Sequence, residues 1–135
     1  MNSPLLGLDI GLRRTGVALS ESGLIAQPLA VIEAKPPHLQ AMVQQVLQYV
    51  QKYEIKTVVV GLPLGEDNEI TSQSLKVERI VNMLTEELQK LPDPPEITQV
   101  NEYHSTQDSR LLYPGADSDS AAAALILQDY LDQNS

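Results

Sequence analysis

The chain has 135 residues, enough for one domain with an adequate core and too few for two. It contains no cysteine, which excludes disulfides, thiolate metal sites and a cysteine nucleophile and suits a reducing compartment. Its 18 acidic residues against 9 basic ones leave a formal net charge of -9, so polyanions are repelled at long range unless the cations gather on one face. Along the chain only Arg13 and Arg14 are adjacent basic residues. The N-terminus shows neither the basic segment nor the small-residue cleavage site of a secretory signal, and no apolar run approaches the roughly 18 residues of a membrane span. A soluble, cytoplasmic protein is expected.

Residues 5–10 have the apolar density of a buried strand. Residues 15–21 form a second, with Val17 and Leu19 alternating against smaller or polar neighbours, and Gly11 to Arg14 make the turn between them. A third run, 24–32, follows the Glu21-Ser22-Gly23 turn and carries Pro28, a residue that belongs at a sheet edge or a bulge. Three strands in succession predict a meander. Pro36-Pro37 then marks a helix start, and Leu39, Met42, Val43, Val46, Leu47 and Val50 recur at helical spacing through Tyr53. The β-branched run 57–63 reads as a central strand covered on both faces.

A second helix is predicted over 70–90, with Ile70, Leu75, Val77, Ile80, Val81, Leu84 and Leu88 inward, stopped by Leu91-Pro92-Asp93-Pro94-Pro95. Residues 96–101 form a short strand. Ser105-Thr106-Gln107-Asp108 reads as a capping box for a short helix ending near Tyr113-Pro114-Gly115, and the last helix runs from about Asp119 to Leu131. Four alanines, Ala121 to Ala124, permit close packing of that helix on the sheet.

Asp9 interrupts the first apolar strand. A carboxylate buried among Leu and Ile costs several kcal/mol unless a cation, a metal or a set of donors meets it. Glu102 stands at the end of the last strand and Asp119 in the first turn of the last helix. Parallel neighbouring strands and a helix entering their C-terminal edge bring the three together. An all-oxygen cluster of this kind suits one or two Mg²⁺ or Mn²⁺ ions, and two ions about 3.5 to 4 Å apart activate a water and stabilise a leaving oxygen in phosphodiester hydrolysis. Each acid also has a structural role open to it. Asp9 can accept turn amides near Gly11, Glu102 can be solvated, and Asp117 or Asp119 can cap the last helix.

Taken together, several segments resemble the YqgF family of RuvX-type Holliday junction resolvases, also described as pre-16S rRNA nucleases, within the ribonuclease-H-like fold. The matching segments are Leu6-Gly7-Leu8-Asp9-Ile10-Gly11 with Gly16-Val17-Ala18-Leu19-Ser20, Ala26-Gln27-Pro28-Leu29, Val58-Val59-Val60-Gly61-Leu62-Pro63-Leu64, and Ala122-Ala123-Ala124-Leu125-Ile126-Leu127-Gln128-Asp129-Tyr130-Leu131. The resemblance covers almost the whole chain. It implies a single α/β domain over residues 1–135, with a five-stranded mixed sheet, an antiparallel three-strand meander followed by parallel strands, flanked by helices. It implies that Asp9, Glu102 and Asp119 are the catalytic metal ligands, with Asp117 the alternate, and that the cofactor is Mg²⁺ or Mn²⁺. The substrate class it implies is structured RNA or branched DNA; in a nuclease of this kind Arg13, Arg14 and Ser105 would position the phosphate backbone, although an adjacent arginine pair in a turn can equally be a solvated turn.

The chain also departs from the family pattern. Where the family resembles Asp-Glu-Arg-Leu-Ser-Thr, this chain has Asn101-Glu102-Tyr103-His104-Ser105-Thr106, losing an acid and an arginine beside the glutamate. Residues 108–116 replace a longer, typically basic stretch, and the loop Gly65-Glu66-Asp67-Asn68-Glu69 is acidic. These changes support a rival reading, a catalytically degenerate homologue serving as a binding or regulatory module; its site should show carboxylates pointing apart or neutralised by protein donors. A third reading, from Asp9-Ile10-Gly11 with Thr15-Gly16, is the first phosphate loop of actin-like ATPases and sugar kinases. Those enzymes need a second related domain and a second glycine-rich turn, which this chain lacks.

Overall fold

The computed structural model describes residues 3–11, 13–33, 39–63, 72–102 and 111–134, with the backbone alone described at 62–63, 72–74 and 101–102. Five strands, β1 (Leu5–Ile10), β2 (Arg14–Ser20), β3 (Gln27–Glu33), β4 (Thr57–Pro63) and β5 (Glu96–Glu102), form one sheet in the order β3-β2-β1-β4-β5. The first three are an antiparallel meander, and β4 and β5 run parallel to β1. Among the described residues the long helices are α1 (Leu39–Lys52), α2 (Ser72–Leu88) and α3 (Ser118–Gln133). No helix among them is long and apolar enough to cross a membrane.

Strand alternation divides the sheet into two faces. Leu6, Leu8, Ile10, Val17, Val58 and Val60 bury against Met42 and Val46 of α1 and Ile80 and Leu84 of α2. Leu5, Ala18 and Val59 bury on the other side, against Ala123, Ala124, Ile126 and Leu127 of α3. The central β1 is thus apolar on both sides, the pattern that its sequence predicts. Pro28 lies in β3, an edge strand, and the register slips there: Val17 pairs with Ala30 but Ala18 with Pro28, leaving Leu29 as the extra residue of a bulge.

Helix α3 lies close on its face because the strands beneath it lack side chains where it crosses. A Cβ on Gly7 would stand 2.8 Å from the Leu127 Cβ, and one on Gly61 2.5 Å from Ile126 Cδ1. On Gly16 it would overlap the backbone carbonyl of Asp119. Ala121, Ala123 and Ala124 complete the fit from the helix side and are fully buried.

Two expectations are corrected. The third strand begins at Gln27 rather than Leu24; Leu24 and Ile25 are 70% and 65% exposed. Gln128 of α3 takes the hydrogen bonds that a strand would have used there, accepting from the Ala26 amide at 2.9 Å and donating to the Leu24 carbonyl at 3.0 Å. Leu75 is exposed rather than inward. It is nine residues from Leu84, half a turn out of phase with the buried stripe on a 3.6-residue helix. Ile70, the Pro36-Pro37 helix start and the 105–108 capping box lie outside the described residues.

Gly16→Ala is expected to lower the unfolding free energy by about 3 kcal/mol, because backbone must move to admit one methyl group. Urea denaturation followed by circular dichroism would measure it, and an unchanged midpoint would contradict the close approach of α3 at this position.

Candidate active site

Asp9 is the fifth residue of β1 and shares its face with Leu5 and Gly7, under α3. Its register partners on both sides are glycines, Gly16 of β2 and Gly61 of β4. No neighbouring Cβ walls the carboxylate in along the sheet.

Asp119 comes to the same place from above. Asp117 is the N-cap of α3, with φ -62° and ψ 143°, and its carboxylate accepts the Asp119 amide at 2.9 Å. Its carbonyl accepts the Ala121 amide at 2.9 Å and the Ser120 hydroxyl at 3.1 Å. The capping role open to both acids therefore falls to Asp117, and the Asp119 carboxylate takes no part in it. With Gly16 beneath it, the first turn of α3 rests its Asp119 carbonyl on β2 at the level of Asp9.

Asp119 Oδ2 is buried, and no described group donates a hydrogen bond to it. Arg14 Nε lies 3.1 Å from that oxygen, close enough for an ion pair but misaligned for a hydrogen bond, so the contact offsets charge without satisfying the lone pairs. Burial, and then repulsion from Asp119, push the Asp9 carboxyl up from 3.8 to about 6. Burial raises Asp119 as well; Arg14 pulls it back down and Asp117 pushes it further up. The Asp119 charge is thus felt at Asp9, in keeping with the Asp119 backbone resting on Gly16, the register partner of Asp9.

Glu102 ends β5 in register with Pro63 of β4, two positions past Val100, which is level with Asp9 through Gly61. It stands at the same C-terminal edge as Asp9, two strands across and two residues further along. At the usual strand spacing and rise, that is about 10 Å across and about 7 Å along. Its side chain lies outside the described residues, as do Tyr103, His104, Ser105 and the acidic loop 65–69. Among the described residues no group of three acids or histidines is gathered around a common point. Of the three expected acids, Asp9 and Asp119 are brought to neighbouring positions through Gly16, and Glu102 contributes a backbone position at the same edge. Arg13 is exposed in the turn between β1 and β2.

Lys76 of α2 belongs to this edge and carries no signal in the sequence. Its Nζ donates to the Gly11 carbonyl at 3.0 Å across a separation of 65 residues, and burial lowers its ammonium pKa. A lysine between Leu75 and Val77 is ordinary for a half-exposed helix; only the topology carries it to the turn that holds Arg13 and Arg14. Three of the nine cations are therefore carried by, or tied to, the turn that follows β1.

Residues 3–133 match the family described as RuvX, Holliday junction resolvase. A relative from Synechococcus sp. (strain JA-2-3B'a(2-13)), named "Putative pre-16S rRNA nuclease", is 39% identical over 138 residues, covering 95% of this chain and 77% of the relative. A protein of the same name from Chloroflexus aurantiacus is 36% identical over 136 residues, covering 95% and 86%. Among solved structures, Thermus thermophilus RuvC in complex with a Holliday junction substrate superposes with a TM-score of 0.67 over 96% of this chain and 94% of that one, at 13% identity. That likeness is one of fold, the ribonuclease-H-like sheet with helices on both faces.

The raised Asp9 carboxyl sets a stability test. The folded group holds its proton up to about pH 6 and the unfolded one only to about 3.8, so its ionisation destabilises the native state progressively across that interval. In chelator-treated protein, Asp9→Asn is expected to raise stability by about 2 kcal/mol at pH 8, with the gain vanishing near pH 4. Thermal melts of both proteins at the two pH values would check it; equal stability at pH 8 would remove the burial argument.

Proposed function

The chain belongs to the RuvX family of Holliday junction resolvases, and on that premise we propose that it is a divalent-metal-dependent nuclease hydrolysing phosphodiester bonds in structured nucleic acid. The observation that carries the reading is the pair Asp9 and Asp119. One carboxylate is half-buried in a central strand between two glycines, and the other has a buried oxygen that receives no hydrogen bond from the described residues. A degenerate site would have turned such groups outward or covered them with donors. A hard cation fits this set, since every donor is a carboxylate oxygen and one of them, though ion-paired with Arg14, accepts no hydrogen bond from the described residues.

Asp9, Glu102 and Asp119 would hold Mg²⁺ or Mn²⁺. When bound, such ions supply charge stabilisation at the scissile phosphate and acidify an attacking water. The chain's own contribution is positional. Gly16 sets the height of Asp119 above Asp9, the N-cap Asp117 holds the backbone of Asp119, and the parallel register of β1, β4 and β5 brings Glu102 to the same edge. Arg13 and Arg14, with Ser105 beyond the described residues, would orient the backbone phosphates by charge-assisted hydrogen bonds. Lys76 adds to the local positive field that an acidic protein needs at the point where a polyanion lands. Nothing at this edge is arranged to read a base sequence, so shape and backbone would select the substrate.

Relatives at 36–39% identity carry the pre-16S rRNA nuclease name, which makes structured precursor rRNA the first substrate to assay and a four-way DNA junction the second. Cleavage is expected with Mn²⁺ or Mg²⁺, absent with chelator. It should be lowered about 100-fold or more in Asp9→Asn, since even outer-shell changes at metal sites cost 10- to 100-fold. Metal-independent cleavage, or wild-type rates in Asp9→Asn, would sink the proposal. Failure of both substrates at low salt would favour the binding-module reading instead.

A further inference from the structure

Arg14 stands on two sides of the site at once. Its guanidinium sits 3.1 Å from the one buried Asp119 oxygen that no described donor satisfies, yet its side chain is 51% exposed, against 27% for Asp119. An arginine that served only to fix Asp119 would point a hydrogen bond at that oxygen, as planar guanidinium–carboxylate pairs do when they are structural. The backbone that carries it is, by contrast, tied down. The Gly11 amide donates to the Arg14 carbonyl at 2.9 Å, and Lys76 Nζ donates to the Gly11 carbonyl at 3.0 Å, so the turn is closed on itself and pinned to α2. A fixed backbone thus holds a long, half-exposed side chain in a loose contact with a metal-ligand candidate.

Building on the metal-site reading above, we propose that Arg14 is a displaceable counter-ion: it neutralises Asp119 in the metal-free protein and is released when a divalent cation takes that carboxylate, freeing the guanidinium for a substrate phosphate. Cation and guanidinium compete for one oxygen, and the charge that leaves Asp119 is delivered at the edge where the polyanion must bind. The exchange couples metal loading to phosphate binding without any movement of the fold. An ion pair this exposed is weak, worth at most about 5-fold in an equilibrium constant, so a metal can displace it.

Two measurements on the intact protein test this. The first is the Arg14 Nε–H resonance in ¹H–¹⁵N spectra, assigned by its loss in Arg14→Gln. In metal-free protein it should differ from its position in Asp119→Asn, and saturation with Mg²⁺ should move it to the Asp119→Asn position. The second is Mn²⁺ affinity by calorimetry without nucleic acid, expected to tighten about 2- to 5-fold in Arg14→Gln. Arg14→Lys, which keeps the charge but loses the fork, separates displacement of a contact from simple charge repulsion. Under displacement its affinity moves toward that of Arg14→Gln, whereas under repulsion alone it stays at the wild-type value and the proposal is overturned. An Arg14 resonance that stays in place while Mg²⁺ binds elsewhere in the spectrum also overturns it, leaving the metal-site reading standing. Absence of any Mg²⁺ or Mn²⁺ binding to the wild type removes both.

Discussion

The arrangement of the candidate site hangs on the contact between the first turn of α3 and β2 at Gly16. Helix and sheet normally pack with a layer of side chains between them; here the Asp119 carbonyl rests where a Cβ would be. That approach fixes the height of the helix over the sheet, and with it the height of the Asp119 carboxylate over Asp9. Gly7 and Gly61 carry the same approach along the helix to Leu127 and Ile126, and the alanines of α3 answer from the other side. The smallest residues in the chain are thus the ones that set the geometry of its charged groups. Gly16 and Gly61 also flank Asp9 in the sheet, so the residues that admit the helix are those that leave the carboxylate unwalled.

Much of this fold is legible in the sequence because local patterns and global topology agree. The meander follows from three short strands separated by turns. The central position of β4 follows from its unbroken apolar run, which only a doubly covered strand can use. Pro28 marks an edge, and the structure places it in an edge strand and at a bulge. The failures are equally physical. Leu24 and Ile25 have strand composition, but their amides donate to Ser22 Oγ, while the Leu24 carbonyl and the Ala26 amide bond to Gln128, a residue 102 to 104 positions away whose role no local pattern encodes. Leu75 looks apolar enough for the core but falls on the wrong side of the wheel, a matter of phase rather than composition.

The site was legible to a different degree for each residue. Asp9 is visible in the sequence because an acid inside an apolar strand violates the pattern around it. Asp119 and Asp117 both fit a helix start, and the family resemblance alone favours Asp119 as the ligand; the hydrogen bond from the Asp119 amide gives the capping role to Asp117. Lys76 was invisible, because its relevance arises from tertiary proximity to Gly11 alone. The same proximity revises what the net charge implies. Counting residues along the chain, the cations look dispersed, and a polyanion has no landing place. In three dimensions Lys76 is tied to the turn that carries Arg13 and Arg14, so three cations separated along the chain share one end of the sheet, alongside the acids Asp9, Asp117 and Asp119.

An isolated pair of acids arranged in this way is a cost to the native state. Asp9 is held in the sheet with a carboxyl that prefers its proton up to about pH 6, and Asp119 adds to that preference while its own buried oxygen is met, among the described residues, by one loose guanidinium. Selection for stability alone would replace Asp9 with an apolar residue, as at Leu5 or Leu8, and turn Asp119 outward beside Asp117. A fold that instead keeps both, surrounds the first with glycine and leaves the second short of a donor has its unmet electrostatic demand concentrated at one point. A cation that satisfies it gains affinity from the same term that destabilises the metal-free protein. On the proposed reading, stability at neutral pH and metal affinity would be linked through the same two carboxylates, so that a change relieving the first would weaken the second.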